Sequence, residues 1–97
     1  MSDITDTANA RHLLAKEVAK RRLESFEYCR TAASEHRRER RSVDVPEGRT
    51  YAVESAYLLG DDPANEAVIV VSVAVEGDST NVAEVIHKTI DERGHAI

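Results

Sequence analysis

The chain has no tryptophan, one phenylalanine, three tyrosines and a single cysteine among its 97 residues. One cysteine, Cys29, excludes an internal disulfide and a multi-cysteine zinc site, and it fits a reducing compartment. With so few aromatics, the interior has to be built from Val, Ile, Leu and Ala, each larger side chain contributing roughly 1.5–3 kcal/mol on burial. The longest apolar run, Ala67 to Val75, is interrupted by Ser72 and falls far short of the ~20 residues that a membrane span requires. Ser2 to Ala10 is polar and no apolar leader segment follows, so the expected location is cytoplasmic, with no membrane partner. Also missing are a phosphate-binding glycine loop, a dinucleotide fingerprint, a nucleophile elbow and EF-hand spacing.

What is present is charge, unevenly spread. The net charge is −5. Residues 1–41 carry ten Lys/Arg against seven Asp/Glu, a balance of +3, while residues 42–97 carry three against eleven, a balance of −8. Halves of opposite sign permit attraction between copies, or an acidic face turned to a basic partner.

No Gly or Pro occurs between Ser2 and Val45, so the usual helix breakers are absent there. Ala8, His12, Ala15, Ala19, Leu23, Phe26, Cys29 and Ala33 recur at steps of mostly three or four, which predicts a helix from about Asp6 to about Arg38 with that lane buried. Glu17 with Arg21 and Lys20 with Glu24 are i,i+4 pairs worth about 0.2–0.5 kcal/mol each. Some 33 helical residues would span about 50 Å, more than one domain of about 13 Å radius of gyration can cover. Either the helix breaks, near Arg30 to Ser34, or a second chain covers the excess, and the second chain is the favoured reading.

The period then changes. Ser42 to Val45 alternates and Pro46-Glu47-Gly48 turns. Thr50 to Leu59 follows with Tyr51, Val53, Tyr57 and Leu59 on one face, and Gly60 to Asn65 turns again. Glu66 to Glu76 is apolar on both faces and rich in β-branched residues, the mark of a central strand. Asn81 and Glu84 have capping-box spacing, Val82, Ile86 and Ile90 form a lane, and Gly94 supplies a stop, which predicts a C-terminal helix. The expected fold is therefore α+β, a single domain over residues 1–97 in the order α-β-β-β-α. Residues 1–41 would be a long amphipathic helix with a basic end, 42–76 a two- or three-stranded antiparallel meander, and 77–97 a helix and tail. A homodimer or higher homo-oligomer is expected.

The sharpest local feature is basic. Arg37, Arg38, Arg40 and Arg41, with Arg30 upstream, could grip phosphates through charge-assisted hydrogen bonds; a solvated helix end explains them as well. The acidic balance downstream and the lack of interleaved aromatics weigh against nucleic acid as the partner. His87, Asp91 and His95 would align on a continued helix, but Gly94 interrupts it and no metal is assigned. Cys29 sits on the apolar lane, where a thiol is usually inert, and Asp61-Asp62 is what a turn wants. The resulting expectation is a small non-enzymatic homo-oligomeric interaction or regulatory protein with no cofactor and no catalytic residue, associating through Ala15, Ala19, Leu23, Phe26, Val71 and Val73. A nucleic-acid-associated regulator using the arginines is the alternative. A third is a small enzyme with an inter-subunit site drawing on His87, Cys29 or Asp61.

Overall fold

A computed structural model describes residues 4–46, 49–77 and 81–90. Two helices precede four strands: α1 (Ile4–Arg22), α2 (Phe26–Ser34), β1 (Arg38–Asp44), β2 (Thr50–Leu59), β3 (Glu66–Val75) and β4 (Asn81–Thr89). The strands form one antiparallel sheet in the order β1-β2-β3-β4, each paired with its neighbour in sequence. Both helices lie on one face of it, α1 mainly against β3 and β4, and α2 against β2 and β3. The fold is α+β. Among the described residues, no helix is long and apolar enough to cross a membrane.

Three expectations are corrected. The first helix is two helices, broken at Leu23–Ser25 rather than at residues 30–34. Ser25 is the new N-cap, extended in backbone, and its hydroxyl accepts from the Tyr28 amide at 3.1 Å, with Glu27 in the positive first turn. At the end of α1 the Leu23 and Glu24 amides close back on the Lys20 and Arg21 carbonyls, and Lys88 Nζ of β4 donates to the Arg22 carbonyl. The break lets both helices lie on the sheet of their own chain, so the length of the rod no longer calls for a partner.

The basic stretch is strand, not helix end. α2 closes at His36, whose φ of 53° is left-handed. His36 N–H reaches the Ala33 carbonyl at 3.0 Å and Arg37 N–H the Ala32 carbonyl at 2.9 Å, the paired bonds that terminate a helix and reverse the chain. Arg38 to Asp44 then pairs with Ala56 to Thr50.

The expected C-terminal helix is β4. Val82, Ile86 and Ile90 are four apart, which is about one helical turn but also two strand repeats, so the lane fits both periods. β3 decides between them, because its second edge would otherwise stay unpaired. Pairing Val73 with Val82 and Ile69 with Ile86 closes that edge and sends Ile86 into the core, where it is buried. β3 is thus central, as its composition predicts. Asn81 and Glu84 lie in the strand and cap no helix, and Gly94, with Asp91 and His95, lies outside the described residues.

The helix-side core lies beneath both helices. Phe26, Cys29, Ala32 and Ala33 of α2 meet Tyr57, Ile69 and Ile86, and Ala10 of α1 meets Tyr51, Val53 and Val73. Their removal from water supplies the main drive to fold.

Candidate functional site

Two features stand out once the sheet is built, one on each of its faces. On the helix side, α1 turns charge rather than grease toward the sheet. Glu17 and Arg21 are 2% and 4% exposed, and they sit i,i+4 on the inward face. Arg21 Nη2 lies 2.8 Å from Glu17 Oε2, and its Nε donates to the same oxygen at 2.9 Å and to Ser55 Oγ at 3.1 Å. Its Nη1 donates to Tyr57 OH at 2.8 Å and to Glu24 Oε2 at 2.9 Å, with Glu39 at 3.3 Å. Tyr57 OH donates in turn to Glu24 Oε1 at 2.6 Å. Arg41 Nη2 of β1 completes Glu17, donating to Oε1 at 3.0 Å. Among the described residues no buried side-chain nitrogen or oxygen lacks a partner, which is what makes ions tolerable in an interior.

These contacts set the protonation states. Burial pushes the Glu17 carboxyl up, but the hydrogen bond from Arg41 and the charges of Arg21 and Arg41 outweigh it and hold the group below its ordinary value. Burial, with the Glu24 carboxylate as acceptor, drives the Tyr57 hydroxyl far above its usual range. Burial also pushes the Cys29 thiol up, helped by Glu24. A thiol kept protonated is a poor nucleophile. Within the network each buried donor and acceptor is satisfied by the chain itself, while Arg41 and Glu39 reach its solvent edge.

Among the described residues the other face carries no helix. Strand alternation and the pairing register arrange it in rows across β1, β2, β3 and β4. One row is Leu58, Val68 and His87; the next is Arg38, Ala56, Val70 and Val85. Below them come Arg40, Glu54, Ser72 and Ala83, then Ser42, Ala52, Ala74 and Asn81. Leu58 and Val85 are 43% and 49% exposed, whereas Ala52 and Ala56 lie low between their neighbours. Val68, Val70, Ser72 and Ala74 are half-buried. The middle of this face is apolar; among the described residues its charges lie on β1, at Glu54, which accepts from Arg38 at 3.2 Å, and at Glu66, the open-face position at the start of β3 that pairs with Thr89.

The structure distributes the sequence-predicted residues widely. The strand period splits the arginines: Arg37 and Arg41 belong to the helix-side set, Arg38 and Arg40 to the open face. Arg37 pairs with Glu35 and lies over the Tyr28 ring at 5.5 Å, Arg38 pairs with Glu54 and Arg41 with Glu17. Arg30 is exposed on α2. Strand alternation thus divides the arginines between the two faces, and three of them are engaged in ion pairs. Of the proposed association residues, Ala15 and Ala19 are exposed on α1 and Leu23 is exposed in the break that follows it, while Phe26, Val71 and Val73 are buried in the protomer's own core. Cys29 is in that core, His87 is across the sheet on the open face and Asp61 is in the exposed β2–β3 loop, so the three are not brought together. Among the described residues no group of His, Cys, Asp and Glu is placed to hold a metal ion.

Two features escaped sequence reasoning. The buried lane of α1 runs through Asp6, Ala10, Glu17, Val18 and Arg21, not through Ala8, His12, Ala15 and Ala19, which are exposed. The open face was hidden because its existence depends on both helices choosing the same side. Compared with protein-family models, with curated proteins and with solved structures, the chain matches none.

Proposed function

We propose that the protein is a non-enzymatic interaction module that works as a homo-oligomer, with the uncovered sheet face as its contact surface. The carrying observation is the apolar centre of that face, built from Leu58, Val68, Val70 and Val85 beside Ala52, Ala56, Ala74 and Ala83. Antiparallel sheets commonly leave one face wet, and then it alternates to polar residues; here β3 presents Val68, Val70 and Ala74 to solvent. Four strands at ~4.8 Å spacing and about nine residues at ~3.3 Å make a face of about 550 Å². Two copies stacked on it remove about twice that area, which clears the ~1,000 Å² that a specific interface needs. A second copy suits the surface because an uncharged apolar centre with a polar border can be complementary to itself. The protonated, buried Cys29 and the fully satisfied ion network favour binding over chemistry.

Sedimentation velocity across a concentration series tests this. The chain should move from protomer mass to twice that mass within the micromolar range. Val70→Lys and Val85→Lys, which charge the open face without touching the helix-side core, should hold it at protomer mass with unchanged circular dichroism. A strict protomer at hundreds of micromolar, or a dimer indifferent to both substitutions, would refute the proposal.

A further inference from the structure

We infer that the two copies stack about a two-fold axis lying between the sheets and across the strands, so that large side chains of one copy cover small ones of the other. This rests on the docking role just proposed for the open face. The basis is a size segregation along the strands. On β3 the open-face order is Val68, Val70, Ser72, Ala74, two large residues followed by two small. On β4 it is His87, Val85, Ala83, Asn81 in the same direction across the sheet, and on β2 it is Leu58, Ala56, Glu54, Ala52. Of these four rows, which exclude Glu66 and Thr89 at one end and Thr50 at the other, the midpoint falls between the Val70 row and the Ser72 row; β2 alternates in size but still sets larger against smaller when its order is reversed.

A two-fold axis across the strands at that midpoint keeps each strand over its own copy and reverses the row order. Val70 then lies over the partner's Ser72 and Val68 over the partner's Ala74. Val85 covers the partner's Ala83, and Leu58 the partner's Ala52. Each contact joins a larger to a smaller side chain, which is how sheets about 10 Å apart interdigitate without voids or overlap. Glu54 comes over the partner's Ala56, the register neighbour of Arg38, so each Glu54 carboxylate sits between the Arg38 of its own chain, at 3.2 Å, and that of its mate. It thereby screens the β1 border, where Arg38 stacks toward the partner's Arg40. An axis parallel to the strands would instead put β1 over β4 and set the Leu58 and Val68 rows of the two copies on each other, large against large. The ~30° angle between packed sheets displaces the corners more than the middle, so β2 and β3 carry the test.

A size-swap cycle reads the arrangement directly. Val68→Ala opens a void over the partner's Ala74, and Ala74→Val overfills the same contact; each should weaken the dimer's dissociation constant about tenfold. The double variant Val68→Ala/Ala74→Val should return to within about threefold of the parent, because the exchanged residues again meet across the axis. Positions 68 and 74 are six residues apart on one strand, about 20 Å, so no compensation within a chain can mimic this. Losses that instead add to about a hundredfold would overturn the arrangement while leaving the docking role intact, since association would still be observed; a wild-type chain that never dimerises would take both away. Cross-linking supplies a second measurement. Mixed Leu58→Cys and Ala52→Cys variants should be joined by a maleimide linker of about 10 Å, and Leu58→Cys alone should not. Efficient linking of Leu58→Cys to itself would refute the axis.

Discussion

The two helices cover the same sheet face by opposite means. α2 buries Phe26, Cys29, Ala32 and Ala33, a conventional apolar stripe on nine residues. α1, twice as long, buries Asp6, Glu17 and Arg21 along with Ala10 and Val18. Each buried ion of α1 meets a polar group on the sheet beneath it. Asp6 accepts from Tyr51 OH at 3.1 Å and lies 3.4 Å from Arg49, and the Glu17–Arg21 pair is met by Ser55, Tyr57 and Arg41. An apolar stripe binds any greasy surface, whereas an ionic one matches a single register. α2 thus contributes adhesion and α1 contributes alignment, fixing where along β2 the helix sits.

Arg21→Met is the sharpest way to break that division. Methionine keeps the apolar stem, so packing is largely conserved, but buried Glu17 is left with Arg41 as its counter-charge, and Ser55 and Glu24 lose the same guanidinium. A stability loss of about 3–5 kcal/mol is expected near neutral pH, a large share of the 5–15 kcal/mol typical of a domain. Phe26→Ala on α2 should cost a comparable ~3–5 kcal/mol by cavity formation. The two are separated by pH. In the Arg21→Met protein the deficit should shrink as acid protonates Glu17, while the Phe26→Ala deficit should stay level. Urea unfolding of both variants at neutral and mildly acidic pH measures this; parallel behaviour would mean that Arg21 acts by bulk alone.

How far the sequence disclosed this division follows from the chemistry of each element. The α2 stripe, Tyr51, Val53 and Tyr57 on one face of β2, and the centrality of β3 are all legible, because burial there coincides with apolar character. The α1 lane is not, since its inward positions are a glutamate and an arginine whose partners, Ser55 and Tyr57, come from over 30 residues away. Glu17–Arg21 looks like an exposed i,i+4 pair until the sheet is laid against it. The helix break at Ser25 had a signal, a serine three residues before Tyr28 with Glu27 in the first turn, but the absence of Gly and Pro pointed to continuity. β4 was misread because a spacing of four satisfies helix and strand alike. The open face has no local signature, since it is defined by where the helices are not.

Acid should sharpen the same comparison in the unmodified protein. The folded Glu17 carboxyl titrates below its ordinary value of 4.5, and the unfolded chain titrates near that value. Its contribution to stability is thus complete above about pH 4.5 and is lost as pH falls through the lower, folded value. Stability should decline in that acid window, and Glu17→Gln should flatten the decline, at the cost of a lower plateau at neutral pH. A decline of equal steepness in the Glu17→Gln protein would assign the acid sensitivity to other carboxyl groups.

The smallest effect concerns the joint between the α2 region and the charged strand. His36 adopts a φ of 53°, the left-handed conformation that costs a side chain with a Cβ about 1–2 kcal/mol. It is exposed, and the helix-terminating bonds at this point are made by backbone amides of His36 and Arg37, which do not depend on the imidazole. His36→Gly therefore removes the steric cost and keeps the geometry that sends Arg37 to Asp44 back along the sheet. Part of the gain is offset because glycine loosens the unfolded chain, leaving a net stabilisation of about 0.5–1 kcal/mol. An upward shift of the urea midpoint with unchanged slope is expected. His36→Ala, which retains the Cβ, should show no such gain; equal stabilisation by both substitutions would mean that the backbone at this joint is not strained and that the turn into β1 is set elsewhere.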